Sequence, residues 1–171
     1  MANNIGYLMA KTDKKSDEYY TPKEAVLPLV KYLKKEDVIW CPFDDESSEY
    51  VKVLSLSNKV IFSHINNGKD FFTYTPDHYD IIISNPPFSL KDKVLERLQF
   101  LNKPYAILLP LPTLQGQKRF SYLIGKQALI FDKRINFYQD IEHTIMAKGV
   151  AFASIYICNK FLPKDLIFEK I

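Results

Sequence analysis

Asn85, Pro86, Pro87 and Phe88 follow the apolar run YDIIIS and precede a helical pattern, and their residue types define a chemistry. Two successive prolines fix φ at about −65° and remove two backbone donors, so carbonyl oxygens can face a pocket without competing N–H groups. The side-chain carbonyl of Asn85 and the backbone carbonyl of Pro86 can then accept both hydrogens of an exocyclic amino group. The ring of Phe88 can stack on the planar base that carries it. Such a turn selects an NH2 group on an aromatic ring. The bland alternative is a buried Pro-Pro turn whose Asn caps the next helix. The position after an apolar strand favours the pocket, because open α/β sheets bind ligands at the carboxyl ends of their strands.

Holding this turn in place requires a sheet. β-branched and aromatic runs at residues 38–41, 59–63, 79–84 and 105–109 are predicted to be parallel strands, and their continuous hydrophobicity predicts burial on both faces. Between them, residues 22–35 place Ala25, Val26, Leu29, Val30 and Leu33 at helical spacing, with Thr21 as N-cap and Pro22 at the first helical position. Residues 90–101 repeat the pattern with Ser89 as the cap. Beyond residue 126, strand-like stretches at 128–131, 134–137 and 150–158, with a loop at 138–149 between the last two, predict an antiparallel edge. The expected fold class is α/β, a Rossmann-like, mostly parallel sheet with an antiparallel edge and helices on both faces.

The chain has 171 residues, 47% hydrophobic and 25% charged, which fits a single domain over residues 1–171 with no separate target-recognition domain. A net charge of +3 does not advertise nucleic-acid binding, so any such signal must be local. Residues 38–50 carry four acids and no base, whereas residues 91–134 carry nine bases and three acids. A solvated helical face explains the second stretch blandly. A phosphate-contacting rim, with Lys91, Lys93, Lys118 and Arg119 as candidates, explains it if the site handles nucleic acid. Cys41 and Cys158 lack metal-ligand spacing and are expected to be buried, reduced and structural, so no metal site is expected. The apolar stretch at the N-terminus is too short for a signal peptide and no run approaches a membrane span, which predicts a cytoplasmic protein.

With these residues in view, the sequence resembles the class I S-adenosylmethionine-dependent methyltransferases, and within them the amino methyltransferases with an (N/D)PP(Y/F) signature, most closely the phage and bacterial adenine-N6 DNA methyltransferases. The resemblance covers most of the chain. Residues 17–22, DEYYTP, look like the family's opening segment, which implies that Tyr20, Thr21 and Pro22 help to close the cofactor pocket. Cys41, Pro42, Phe43 and Asp44 stand where the family has its D-P-(F/C)-x-G-x-G cofactor loop, and residues 68–72, GKDFF, match a segment whose acid, here Asp70, binds the cofactor's adenine amino group beside Phe71. Residues 110–114, PLPTL, and 134–137, RINF, also have family counterparts. The resemblance makes Asn85, Pro86, Pro87 and Phe88 the catalytic loop and S-adenosylmethionine the cofactor.

Two departures accompany the match. The loop at residues 42–48 contains no glycine, so the side chains of Asp45 and Glu46 would project into the cofactor's place unless the loop takes another path. After the second strand, where the family has a ribose-binding acid, this chain has His64, which can contact the ribose through one bond. Two functions therefore stand side by side. One is methylation of the adenine amino group in DNA, with RNA as a close variant and protein glutamine as a more distant one. The other is a non-catalytic binding or interaction module with a degenerate cofactor loop. For an enzyme, loose specificity or a partner subunit, including a homo-oligomer, is expected, and no membrane association.

Overall fold

The computed structural model describes residues 19–140, 142, 144–147 and 152–171. Seven strands form one sheet in the order β2-β1-β3-β4-β6-β5-β7. They are β1 (Val38–Cys41), β2 (Lys59–Phe62), β3 (Ile81–Ser84), β4 (Tyr105–Pro110), β5 (Gln127–Phe131), β6 (Ser154–Asn159) and β7 (Leu166–Glu169). The first four are parallel, with Trp40 opposite both Ile61 and Ile82, and Ser84 opposite Ile107. The expected antiparallel strand is β6, which lies between β4 and β5 and runs against both.

Every residue of β1, β3, β4 and β6 is buried, as their apolar runs require. β2 corrects the expectation of two-sided burial. It is the edge strand, with Lys59 and Phe62 exposed, because only β1 pairs with it. The helices α1 (Lys23–Val30) and α3 (Lys91–Leu101) bury the stripes read from the sequence: Ala25, Val26 and Leu29 on one, Val94, Leu95 and Leu98 on the other.

Several local expectations are corrected. α1 ends at Val30 rather than residue 35, and its N-cap is Pro22, not Thr21, whose hydroxyl is engaged elsewhere. α3 is entered through a 3-10 turn, Phe88–Leu90, so its cap position is Leu90 and Ser89 lies inside the turn. Residues 134–137 are not a strand: Ile135 and Phe137 bury their side chains, but among the described residues their backbone meets no ladder, and two isolated bridges join Tyr138 to Tyr20 and to Met146. β6 begins at Ser154, and residues 150 and 151 of the predicted strand lie outside the described residues, as do residues 17 and 18 of the opening segment. Two elements were not anticipated, α2 (Glu49–Leu54) and β7, and a short helix, α4 (Phe120–Leu123), follows β4. Cys41 and Cys158 are buried and unpaired. Among the described residues no helix is long and apolar enough to cross a membrane.

Candidate active site

The carboxyl ends of β1, β2 and β3 converge on a cavity of about 970 Å³, a size typical of small-molecule sites, roughly 300–1,000 Å³. Residues from the loops after all three strands line it: Pro42 to Asp45 after β1, His64 to Asn66 after β2, and Asn85 and Pro87 after β3. Tyr19, Tyr20 and Thr21 close it from the N-terminal side, and Lys93, Glu96, Arg97 and Phe100 of α3 extend its wall. The cavity stays open between the glycine-free loop and Asn85.

The path of that loop explains why. Asp44 turns inward rather than into the cavity's centre and is 8% exposed. Its carboxylate accepts from Ser48 Oγ at 2.5 Å and from the Ser84 hydroxyl. Burial raises the Asp44 carboxyl to about 6, against the two hydroxyl bonds that draw it down. Asp45 accepts from both the amide and the hydroxyl of Ser47, which hold its carboxyl below the ordinary range. Ser48 then caps α2 by accepting from the Tyr50 amide at 3.2 Å. Asp45 lines the cavity and Glu46 does not, so only one of the two expected intrusions occurs. Side-chain oxygens thus build the turn that the resembled family builds with glycine.

An aromatic wall forms the opposite side. The Phe43 and Phe71 rings lie 4.9 Å apart, Phe71 and Phe72 lie 5.6 Å apart, and Trp40 packs beneath Phe71 at 5.5 Å. Trp40 is fixed by a 2.9 Å bond from its indole nitrogen to Ser63 Oγ, while the Ser63 amide donates to Cys41 and its carbonyl accepts from Asp44. His64 accepts from the Asn66 amide at 3.2 Å and so starts the 3-10 turn Ile65–Asn67. Gly68 ends that turn at φ 71°, a left-handed conformation that side chains resist. Asp70 follows, on the cavity wall, with one oxygen accepting from the Phe72 amide at 3.0 Å.

Asn85 is the polar centre of the site. Its Nδ2 donates to Thr21 Oγ1 at 3.1 Å and lies 3.5 Å from the Tyr19 carbonyl, while its Oδ1 is buried without a hydrogen-bond partner among the described residues. Phe88 is 9% exposed and meets Phe137 and Phe152 edge to face at 6.3 and 5.4 Å.

The structure therefore brings Tyr20, Thr21, Pro42, Phe43, Asp44, His64, Asp70, Phe71, Asn85 and Pro87 to one cavity. Pro22, Cys41, Pro86 and Phe88 do not line it: Cys41 is fully buried within β1, and Phe88 sits in the aromatic cluster behind the turn. Ser47, Ser48, Glu49 and Tyr50 line the cavity too. They were missed because they belong to the unanticipated α2 and its cap. The basic candidates divide. Lys93 reaches the cavity, but Lys91 bonds the Phe88 carbonyl at 3.3 Å. Arg119 ties Asp92 at 2.7 Å to the carbonyls of Pro112, Thr113 and Gln115, which staples the segment after β4 to α3.

The fold is similar to that of solved structures. A putative class I S-adenosylmethionine-dependent methyltransferase from Listeria monocytogenes aligns with a TM-score of 0.50 and 13% identity, over 95% of this chain and 68% of that one. TrmN from Thermus thermophilus aligns with a TM-score of 0.46 and 15% identity over 81% of this chain and 48% of that one, so this chain spans about half its length. A putative methyltransferase from Thermoplasma acidophilum aligns with a TM-score of 0.34 and 13% identity, over 78% of this chain and 60% of that one. No family model and no curated protein matches the sequence. The Listeria likeness, with the strand order, shows the Rossmann-like fold of class I methyltransferases.

Proposed function

We propose that the chain is an S-adenosylmethionine-dependent methyltransferase acting on the exocyclic amino group of adenine in DNA, with RNA as the close variant. The observation that carries this reading is Asn85 Oδ1, a buried acceptor at the carboxyl end of β3 with no partner among the described residues. Leaving such an atom unpaired costs about 1–3 kcal/mol, which a donor arriving with the substrate would recover.

The cavity's donor set fits the cofactor. The Phe43, Phe71 and Phe72 rings suit a purine, Asp70 its amino group, and His64 a ribose hydroxyl. Asp45 and Glu49 give the opposite side a negative character that suits a cationic sulfonium and an ammonium. Tyr20, Thr21 and Pro42 close the remaining wall. When bound, the cofactor supplies an electrophilic methyl group for direct displacement by nitrogen.

The protein's part is positioning and charge. Asn85 Oδ1 accepts one amino hydrogen, and its negative end stabilises the positive charge that develops on nitrogen. Pro86 and Phe88 act from behind the cavity wall: Phe88, packed on Phe137 and Phe152, supports the turn that carries Asn85. A base in duplex must leave the stack to reach this turn, at a cost of a few kcal/mol, which favours single-stranded or flipped substrate. Lys93 on the rim suits a phosphate nearby.

Calorimetric titration with S-adenosylmethionine, followed by tritiated methyl transfer to adenine-containing DNA and RNA oligonucleotides, tests the reading. Saturable binding and transfer that Asn85→Ala reduces about 10²- to 10³-fold are expected. No binding at millimolar cofactor overturns it in favour of a non-catalytic module, and transfer unaffected by Asn85→Ala overturns the role of Asn85.

A further inference from the structure

β7 is the last strand of the sheet, and among the described residues no strand pairs with its outer edge. The carbonyls of Asp165 and Glu169 accept from the Ala128 and Asp132 amides, and the Ile171 amide donates to the Asp132 carboxylate at 3.1 Å. Residues 165, 169 and 171 thus turn their backbone toward β5, so by strand alternation Leu166, Phe168 and Lys170 turn theirs outward.

The side chains sort in the same way. Glu169 faces α1, where Tyr32 Oη donates to it at 2.5 Å and Lys31 Nζ lies 2.5 Å away. Leu166 and Phe168 stand on the other face, 50% and 69% exposed. An open edge that carries two large apolar side chains on one face is a template for another strand. β2, the opposite edge, exposes Lys59 and Phe62, whose odd spacing puts them on different faces, so it carries no such strip.

We propose that a second copy of this chain covers the β7 edge, its β7 running antiparallel about a twofold axis at Phe168. The occupant follows from register. Outward residues must meet outward residues in an antiparallel pair, so only Leu166, Phe168 and Lys170 can form the hydrogen-bonded pairs. An axis at Ile167 would set Lys164 against Lys170 and Asp165 against Glu169, like charges directly opposite each other. An axis at Glu169 would set that carboxylate against itself, and one at Leu166 would draw on residues 162–165, which are bends rather than strand. The axis at Phe168 opposes no like charges. There Phe168 meets its own mate, Leu166 meets the aliphatic stem of Lys170, and Ile167 meets Glu169, whose charge Lys31 already balances. The pairing is isologous and uses up the apolar edge of each copy, so assembly stops at two. The cavity lies at the ends of β1, β2 and β3, across the sheet from β7, and the dimer leaves both cavities open.

Sedimentation of the full chain over a range of concentrations tests this, with thermal melts to check that each variant folds. The wild type is expected to dimerise as concentration rises. Phe168→Lys puts a cation opposite its own mate and should weaken dimerisation at least about tenfold. Leu166→Glu and Leu166→Lys lose the same leucine but face Lys170 of the second copy with opposite charge. The first should therefore dimerise about tenfold more tightly than the second. Cys41 and Cys158 are buried, so an introduced thiol is the reactive one. On mild oxidation Phe168→Cys should cross-link into a dimer, and Ile167→Cys, on the other face and opposite Glu169, should not. A wild type that sediments as a monomer at every concentration, or a dimer that Phe168→Lys leaves intact, overturns the proposal. Equal affinities for the two Leu166 variants, or cross-linking through Ile167→Cys alone, overturn the register and with it the twofold at Phe168.

Discussion

Ser84, the last residue of β3, donates its hydroxyl to the buried carboxylate of Asp44, which lies beyond the end of β1. One bond thus ties the cofactor-side loop to the strand that carries Asn85. A displacement of either loop is transmitted to the other through a group that the surrounding protein almost fully covers.

That covered carboxyl makes stability depend on pH. Burial raises Asp44 from 3.8 to about 6, despite the bonds from Ser48 and Ser84. Below about pH 4 the carboxyl is protonated in both folded and unfolded chains, and its contribution is fully present. As pH rises through about 6 the unfolded chain has already released its proton while the folded chain resists, so stability falls, by about 3 kcal/mol in total. Urea unfolding of wild type and Asp44→Asn at pH 4, 5, 6 and 7 should show the variant gaining relative stability as pH increases. A constant difference across that range would sink the assignment.

Removing the partner rather than the charge acts in the opposite sense. Ser84→Ala leaves an Asp44 oxygen short of its donor in a covered place, with a loss of about 1–3 kcal/mol expected at pH 7. It should also push the Asp44 carboxyl further up. The loss is expected to shrink in an Asp44→Asn background, so a double-mutant cycle in which the two effects simply add contradicts the bond.

Phe43 and Phe71 pack ring against ring at a tilt of 52° but differ in role. Phe71 is 1% exposed, whereas Phe43 is half-buried and faces the cavity. Phe43→Ala should weaken S-adenosylmethionine binding about 3- to 10-fold, the scale of one aromatic contact, with a near-normal melting temperature. Phe71→Ala should cost about 3–5 kcal/mol of stability. Calorimetry and thermal melts of both variants separate these outcomes, and the reverse pattern would show that the cofactor does not stack here.

Arg119 invites a nucleic-acid role from sequence and receives a structural one. Its guanidinium gathers three carbonyls and the Asp92 carboxylate, with 20% of the side chain exposed. Arg119→Ala is expected to lower stability by about 1–2 kcal/mol. It should leave the salt dependence of oligonucleotide affinity unchanged. A salt slope that drops by about one would instead mark a phosphate contact.

Much of the site was legible because its signals are local. Two prolines after an apolar strand state their own geometry, and the buried strands needed only their hydrophobicity. The losses share a cause, which is that side-chain burial and backbone pairing are separate facts. Ile135 and Phe137 alternate like a strand and are buried like one, yet no neighbour supplies a ladder. β7 shows the reverse, with Leu166 and Phe168 exposed although its backbone pairs with β5 throughout. α2 has six residues, too short for helical spacing to show, and four of them are buried. Thr21 read as a helix cap because threonine before proline usually is one, and nothing in its neighbours announces a partner 64 residues away.

The seven residues from Pro42 to Ser48 contain no glycine, and this alters how the wall they form meets a ligand. Glycine would let backbone approach closely but would have to be frozen on binding. Here two carboxylates have already chosen the shape, and the unfolded chain had fewer conformations to surrender. The loop is a template set in advance, and it presents oxygens where its relatives by resemblance present bare backbone. Under the proposed function, this wall would meet the cofactor's sulfonium and ammonium through charge rather than through close backbone approach.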